Sequence, residues 1–319
     1  MIEVDELTRY YGTTPALKDV SFTIEDRAIV GFLGLNGAGK STLLEIVSGL
    51  LLPSGGTVRI DGVDAVDAPD SLRSKIGFLP ENPPLYEDMT VDDFLLWCAQ
   101  IRGMDRSTVE QRLPDVAEIC AISHQRDRLI ESLSHGYRKR VGIAQAIVHD
   151  PELVVLDEPI SGLDPVQIVE MRDVLRRLNE HCTVLVSSHI LSEISETCDR
   201  ILVLHDGRLV ADGTEEELAE RIGATVRLEM TVRTDRQTCE EVLSIIEGVG
   251  DWSADEAGDD LLELNVPLER DVREELVEAL VAEGVGIRRL EEAESELEQA
   301  FLGVTGESDD TDEHREAAA

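Results

Sequence analysis

The chain has 319 residues, with 67 Asp and Glu against 29 Lys and Arg, a formal net charge of −38 and 42% hydrophobic residues. That length supports two domains with their own cores, and the periodic apolar content excludes a disordered acidic polymer. The acidity runs along the whole chain, which excludes generic binding to DNA or RNA, and no run of 18 apolar residues offers a membrane span.

Lysine is scarce, with only Lys18, Lys40, Lys75 and Lys139. An acidic, lysine-poor surface over a foldable core reads as adaptation to the salty cytoplasm of a halophile. At ~1 M salt the Debye length is about 3 Å and self-repulsion is screened. The five cysteines, Cys98, Cys120, Cys182, Cys198 and Cys239, are scattered and form no C-x-x-C pair. They read as free buried thiols in a reducing compartment, with no metal site. The chain opens directly on a strand-like segment, without the pattern of a secretory signal.

In chain order, residues 1–222 alternate strand and helix signals, which predicts an α/β core with a largely parallel sheet. The apolar run Ile29–Leu33 reads as a strand. It leads into Gly34, Leu35, Asn36, Gly37, Ala38, Gly39, Lys40, Ser41 and Thr42. The G-x-x-x-x-G-K-S spacing places glycines where backbone N–H groups must wrap an anion, ahead of a helix predicted over 40–48. Lys40 then reaches the β- and γ-phosphates and the Ser41 hydroxyl holds Mg²⁺. Residues 84–145 read as a helical insertion, with amphipathic stretches at 91–102 and 107–120. Ser134 and Gly136, leading into a helix over 138–148, form a second anion cradle.

The apolar run 153–156 delivers Asp157 and Glu158 at a strand's C-terminal end, where α/β sheets bind ligands. Asp157 is a candidate Mg²⁺ ligand through water, and Glu158 a base for the attacking water. A hairpin over 201–211 turns at Asp206-Gly207, and Thr214 with Glu217 caps a short last helix. From 224 to 303 the pattern changes. Val226, Leu228, Met230 and Val232 alternate, as do Leu262, Leu264 and Val266, and helices are predicted over 235–247 and from Val272 to Leu280. A strand follows at 285–290, and a final helix carries Leu297 and Phe301. The order βαββαβ predicts a small α+β, ferredoxin-like domain. Residues 304–319 read as an acidic disordered tail.

In order and spacing, the motifs of residues 1–222 resemble the ATP-binding subunit of an ABC transporter, a P-loop NTPase. The resemblance implies that Leu133-Ser-His-Gly-Tyr137 is the signature motif, with Ser134 and Gly136 touching the γ-phosphate of ATP held by a second protomer. It implies that Tyr11 stacks on adenine, that Ser161 to Asp164 form the loop crossing the dimer interface, and that His189 is the switch histidine. Three departures stand out. His135 and Tyr137 replace Gly and Gln, Ile160 replaces Thr, and Glu81 stands where a Gln usually meets Mg²⁺ and the lytic water. A carboxylate there can still bind a hard cation. Glu81 with Tyr137 resembles the export-type, ABC-2-like branch.

The resemblance implies an ATPase using ATP and Mg²⁺, peripheral at the cytoplasmic face of the cell membrane. Its implied partners are a separate polytopic permease, which residues 81–90 would face, and a second ATP-binding subunit in a homodimer, with no nucleic acid. The rival reading is a soluble ABC ATPase acting on nucleic acid or ribosomes. Such relatives carry long coiled coils, zinc modules or two ATPase domains, none of which this sequence shows.

The composition predicts that circular dichroism melts are cooperative in molar salt and that the fold is lost in dilute buffer. A melt indifferent to salt would contradict salt adaptation.

Overall fold

The computed structural model describes residues 1–65, 72–222, 226–250, 252–258, 261–268, 270 and 272–292. Contacts divide the chain into two compact units, Met1–Glu215 and Glu216–Ala319. The first runs β1 (Ile2–Tyr11), β2 (Thr14–Ile24), β3 (Ile29–Leu33), α1 (Lys40–Val47), β4 (Gly55–Ile60), β5 (Val63–Asp64) and β6 (Ile76–Leu79). It continues with α2 (Val91–Ile101), α3 (Arg106–Ile119), α4 (His135–Ile147), β7 (Leu153–Leu156), α5 (Pro165–Asn179), β8 (Thr183–Ser188), α6 (Leu191–Ser195), β9 (Arg200–His205) and β10 (Arg208–Gly213). Helix α7 (Glu215–Ile222) begins at the division.

The expected α/β core with a largely parallel sheet is present, and a second, antiparallel sheet, which the sequence reading does not anticipate, accompanies it. Strands β1, β2, β4 and β5 form a separate four-stranded sheet, β2-β1-β4-β5, antiparallel throughout. The physical reason is the connection: Gly12 and Thr13 alone join β1 to β2, and so short a link joins only antiparallel neighbours. The second sheet has the order β10-β9-β3-β8-β7-β6 and is parallel except for the β9–β10 hairpin. Strands β3, β7 and β8 are buried at every position, as expected of parallel strands covered on both faces. One core joins the two sheets, with Phe22 of β2 edge-on to Phe32 of β3 at 5.5 Å between ring centroids.

The helical insertion lies where the periodicity puts it, with α2 and α3 each within one residue of the predicted starts. Thr90 caps α2 by accepting from the Asp93 N–H at 3.2 Å. Helix α4 starts at His135 rather than residue 138, because Ser134 is its cap. It packs closely on β6: a Cβ at Gly77 would lie 2.1 Å from the Ala146 carbonyl oxygen. The five thiols are free, and burial pushes Cys98 up to about 11 and Cys182 up to about 12. No described helix is long and apolar enough to cross a membrane.

The second unit runs β11 (Val226–Arg233), α8 (Arg236–Leu243), β12 (Ser253–Gly258), β13 (Leu261–Leu268), α9 (Arg273–Ala282) and β14 (Gly286–Glu292). Its sheet, β12-β13-β11-β14, is antiparallel throughout, the ferredoxin-like arrangement. The alternating residues of β11 and β13 meet Cys239, Val242, Leu243, Leu276 and Leu280 in a core of their own. Helix α8 stops at Leu243, with Ser244 as its last cap, short of the predicted residue 247. Leu297, Phe301 and the tail 304–319 lie outside the described residues.

The Gly77 contact predicts that Gly77→Val costs about 1–3 kcal/mol of stability by overpacking β6 against α4. Urea unfolding checks it; an unchanged midpoint would contradict the close packing.

Candidate nucleotide site

Three neighbouring parallel strands end together. In sheet order these are β3, β8 and β7, with Leu33 opposite Ser188 and Leu156 opposite Val186. Their C-terminal ends therefore present the phosphate loop, His189 and the Asp157-Glu158 pair side by side.

The loop leaves β3 at Gly34, where a Cβ would lie 2.6 Å from the Leu204 carbonyl oxygen. It enters α1 through Gly39, whose φ of 104° is left-handed and whose Cβ would lie 2.7 Å from the Ala16 carbonyl oxygen. The β9–β10 turn supports it. The Gly207 N–H donates to the Ala38 carbonyl at 3.0 Å, and the Gly207 carbonyl accepts from the Lys18 N–H at 2.8 Å. Sequence reading gave Asp206-Gly207 only as a hairpin turn; its role as a brace depends on a contact that no local pattern carries.

Lys40 is 6% exposed. Its ammonium donates to the Gly34 carbonyl at 2.6 Å and the Leu35 carbonyl at 3.3 Å, and lies 3.5 Å from Glu158 Oε1. Glu158 occupies a left-handed turn at φ 48°, a costly conformation for a non-glycine residue. Its N–H donates to Ser187 Oγ at 2.9 Å and its carbonyl accepts from the Lys139 ammonium, also at 2.9 Å. His189 Nδ1 lies 3.0 Å from Glu158 Oε2. A carboxylate only accepts, so Nδ1 carries the proton. His189 itself is steadied from behind: the Ser188 hydroxyl donates to Glu193 Oε2 at 2.6 Å and accepts from the Ile190 N–H at 3.1 Å. Burial raises the Glu193 carboxyl above the usual carboxylate range.

A cavity of about 370 Å³ brings together Asn36, Gly37, Gly39, Lys40, Ser41, Thr42, Glu81, Glu158 and His189, and adds Ala16 and Ser161. Leu35 is exposed, and Gly34 and Ala38 are buried beneath the loop. Asp157 is 5% exposed and does not line the cavity; its Oδ1 accepts from the Ser187 hydroxyl at 2.6 Å. The hydroxyl of Ser41 and the carboxylates of Glu81 and Glu158 supply hard oxygen donors to one space, a set that fits Mg²⁺.

Tyr11, Ser134, Gly136 and Asp164 are not brought to this cavity. Tyr11 is half-exposed on the antiparallel sheet, one ring face covered by the Arg9 guanidinium at 5.0 Å. Ser134 caps α4, accepting from the Tyr137 N–H at 3.5 Å, and is exposed. Gly136 fits against Gln167, whose Oε1 would be 2.4 Å from a Cβ there. Asp164 caps α5, accepting from the Gln167 N–H at 3.0 Å. The residue in the usual Gln position, Tyr137, meets His124 Nε2 with its hydroxyl at 3.0 Å. The 133–137 segment and the Ser161–Asp164 loop lie against each other, since a Cβ at Gly162 would be 3.4 Å from His135 Nε2, and Ser134 is presented to solvent.

The sequence profile described as "ABC transporter" matches residues 17–161. The daunorubicin/doxorubicin resistance ATP-binding protein DrrA of Streptomyces peucetius is 32% identical over 319 residues, covering 99% of this chain and 96% of DrrA. The bacitracin transport ATP-binding protein BcrA of Enterococcus faecalis is 38% identical over 224 residues, 69% of this chain and 71% of BcrA. Among solved structures, the dimeric post-hydrolysis state of the ATP-binding cassette MJ0796 bound to ADP and Pi matches with a TM-score of 0.61 and 25% identity, over 67% of this chain and 98% of that one. The likeness to DrrA runs through both units, and with it the kinship is plain: the chain belongs to the ABC transporter ATP-binding family, whose membership implies ATP hydrolysis.

Proposed function

We propose that this chain is the ATP-hydrolysing subunit that powers export of a substrate through a separate membrane permease, working with a second ATP-binding subunit. One observation carries the reading. Lys40, Ser41 and Glu158 line one cavity, while Ser134 at the start of α4 is exposed elsewhere on the same unit. A second copy facing the first supplies the missing wall, with ATP between them. The dimeric cassette bound to ADP and Pi supports this arrangement, and the names of BcrA and DrrA support export.

In this reading the Lys40 ammonium exchanges the Gly34 and Leu35 carbonyls for phosphate oxygens. The loop N–H groups and the α1 N-terminus add fixed positive potential. Glu158 accepts a proton from the attacking water, and His189, already bonded to Glu158, steadies both the carboxylate and the γ-phosphate. Ser41 and Glu81, with Asp157 behind them, would hold Mg²⁺, which would supply neutralising charge to the phosphates. Ser134 and Gly136 of the partner close the far side. ATP thereby acts as an adhesive between protomers, and hydrolysis releases it.

A second cavity, about 480 Å³, supports docking on a permease. It lies among Tyr86, Phe94, Trp97 and Ile101 of the helical insertion and Leu50. Ile101 is 65% exposed and Leu50 58%, an apolar opening suited to a short amphipathic segment. We assign residues 1–222 to ATP binding, 84–145 within them to the helical subdomain, and 224–303 to an accessory domain.

Glu158→Gln is expected to keep ATP binding, lose about 10²–10⁴-fold in phosphate release and accumulate ATP-bound dimer in gel filtration. Wild-type turnover would remove Glu158 from the base role. Ser134→Arg is expected to leave ATP affinity of the monomer unchanged while hydrolysis fails; full activity would break the shared-site reading.

A further inference from the structure

We propose that Lys139 is a positioning residue for ATP hydrolysis, tying the loop that bears Glu81 and the turn that bears Glu158 to the helix that starts at Ser134. The proposal rests on the ATPase reading above.

Lys139 is only 3% exposed, although 67 acidic residues could have drawn a lysine to the surface. Its ammonium is not in an ion pair among the described residues. It donates instead to two backbone carbonyls, that of Glu81 at 2.7 Å and that of Glu158 at 2.9 Å. A buried ammonium is costly unless its hydrogen bonds are satisfied, and charge-assisted bonds to carbonyls are roughly twice as strong as neutral ones. Burial lowers its pKa, while the carboxylates of Glu81, Glu158 and Asp157 act to raise it.

The placement matters because of Glu158. Its left-handed turn must be held by its surroundings. Ser187 fixes the N–H side and Lys139 fixes the carbonyl side. With both sides of the residue fixed, the carboxylate stays aimed at Lys40 and His189. Lys139 lies one turn into α4, the helix capped by Ser134. A shift of that helix is therefore transmitted to the catalytic carboxylate and to the Glu81 loop through one side chain.

The test is steady-state ATP hydrolysis by the full chain, with ATP affinity and thermal unfolding measured in parallel. Lys139→Met fills the space without donors. It is expected to lower kcat by about 10²-fold, the cost of a misplaced catalytic group. KM and ATP affinity should stay within about threefold, because Lys40 and the phosphate loop are untouched. Lys139→Arg, which keeps donors, should recover most of kcat. A Met variant with the parent's kcat, a loss that appears in KM instead, or an Arg variant as slow as Met overturns the proposal. Should Lys139→Met not fold, Lys139→Gln decides: its shorter amide should lower kcat by about tenfold at constant KM, and an unchanged kcat overturns the role. A parent chain that releases no phosphate from ATP would instead overturn the ATPase reading itself.

Discussion

The Glu158 carboxylate, gripped between the Lys40 ammonium and the His189 ring, is the interaction around which the first unit is organised. Neither partner is near it in sequence. They meet because β3, β8 and β7 are adjacent and parallel, so that three strand ends open on the same edge. The apolar core under those strands is what makes the register stiff enough to hold a residue at φ 48°. Ser187 completes the arrangement, accepting from Glu158 and donating to Asp157 with one hydroxyl.

That constraint also explains where positive charge is kept. In a chain of net charge −38, Lys40, Lys139 and Arg140 are among the few charged groups removed from solvent. Lys40 and Lys139 surround Glu158, and Arg140 lies beside Lys139 on α4, paired with Glu170. Salt screens exposed charges over a few ångströms but reaches buried pairs far less. A strongly acidic chain and a centre that keeps buried positive charge can therefore coexist in one unit.

Much of this was legible in the sequence, for identifiable reasons. The phosphate loop, the strand ending in Asp157-Glu158 and the alternating residues of β11 and β13 are local patterns, set by glycine spacing and by apolar period. Contacts across the fold were not legible. Nothing near Lys139 or Gly207 announces which carbonyl each will meet. The separate antiparallel sheet was missed because β1 and β2 look like any alternating strands until their two-residue link is weighed. Strand β12 is an exposed edge, so no alternation marks it. Asp157 reads by position as a ligand to Mg²⁺ through water; its place behind the cavity, with its Oδ1 engaged by Ser187, is a contact across the fold that no local pattern carries. Helix α4 starts three residues before the predicted 138 because the Ser134 hydroxyl, besides facing solvent, caps its first turn.

A site completed by two chains must lose activity when the chains separate, which serial dilution tests. ATP turnover per chain, measured alongside sedimentation, is predicted to fall with dilution as the dimer dissociates, approaching second-order dependence on protein concentration. Constant turnover per chain at concentrations where only monomer sediments would contradict it.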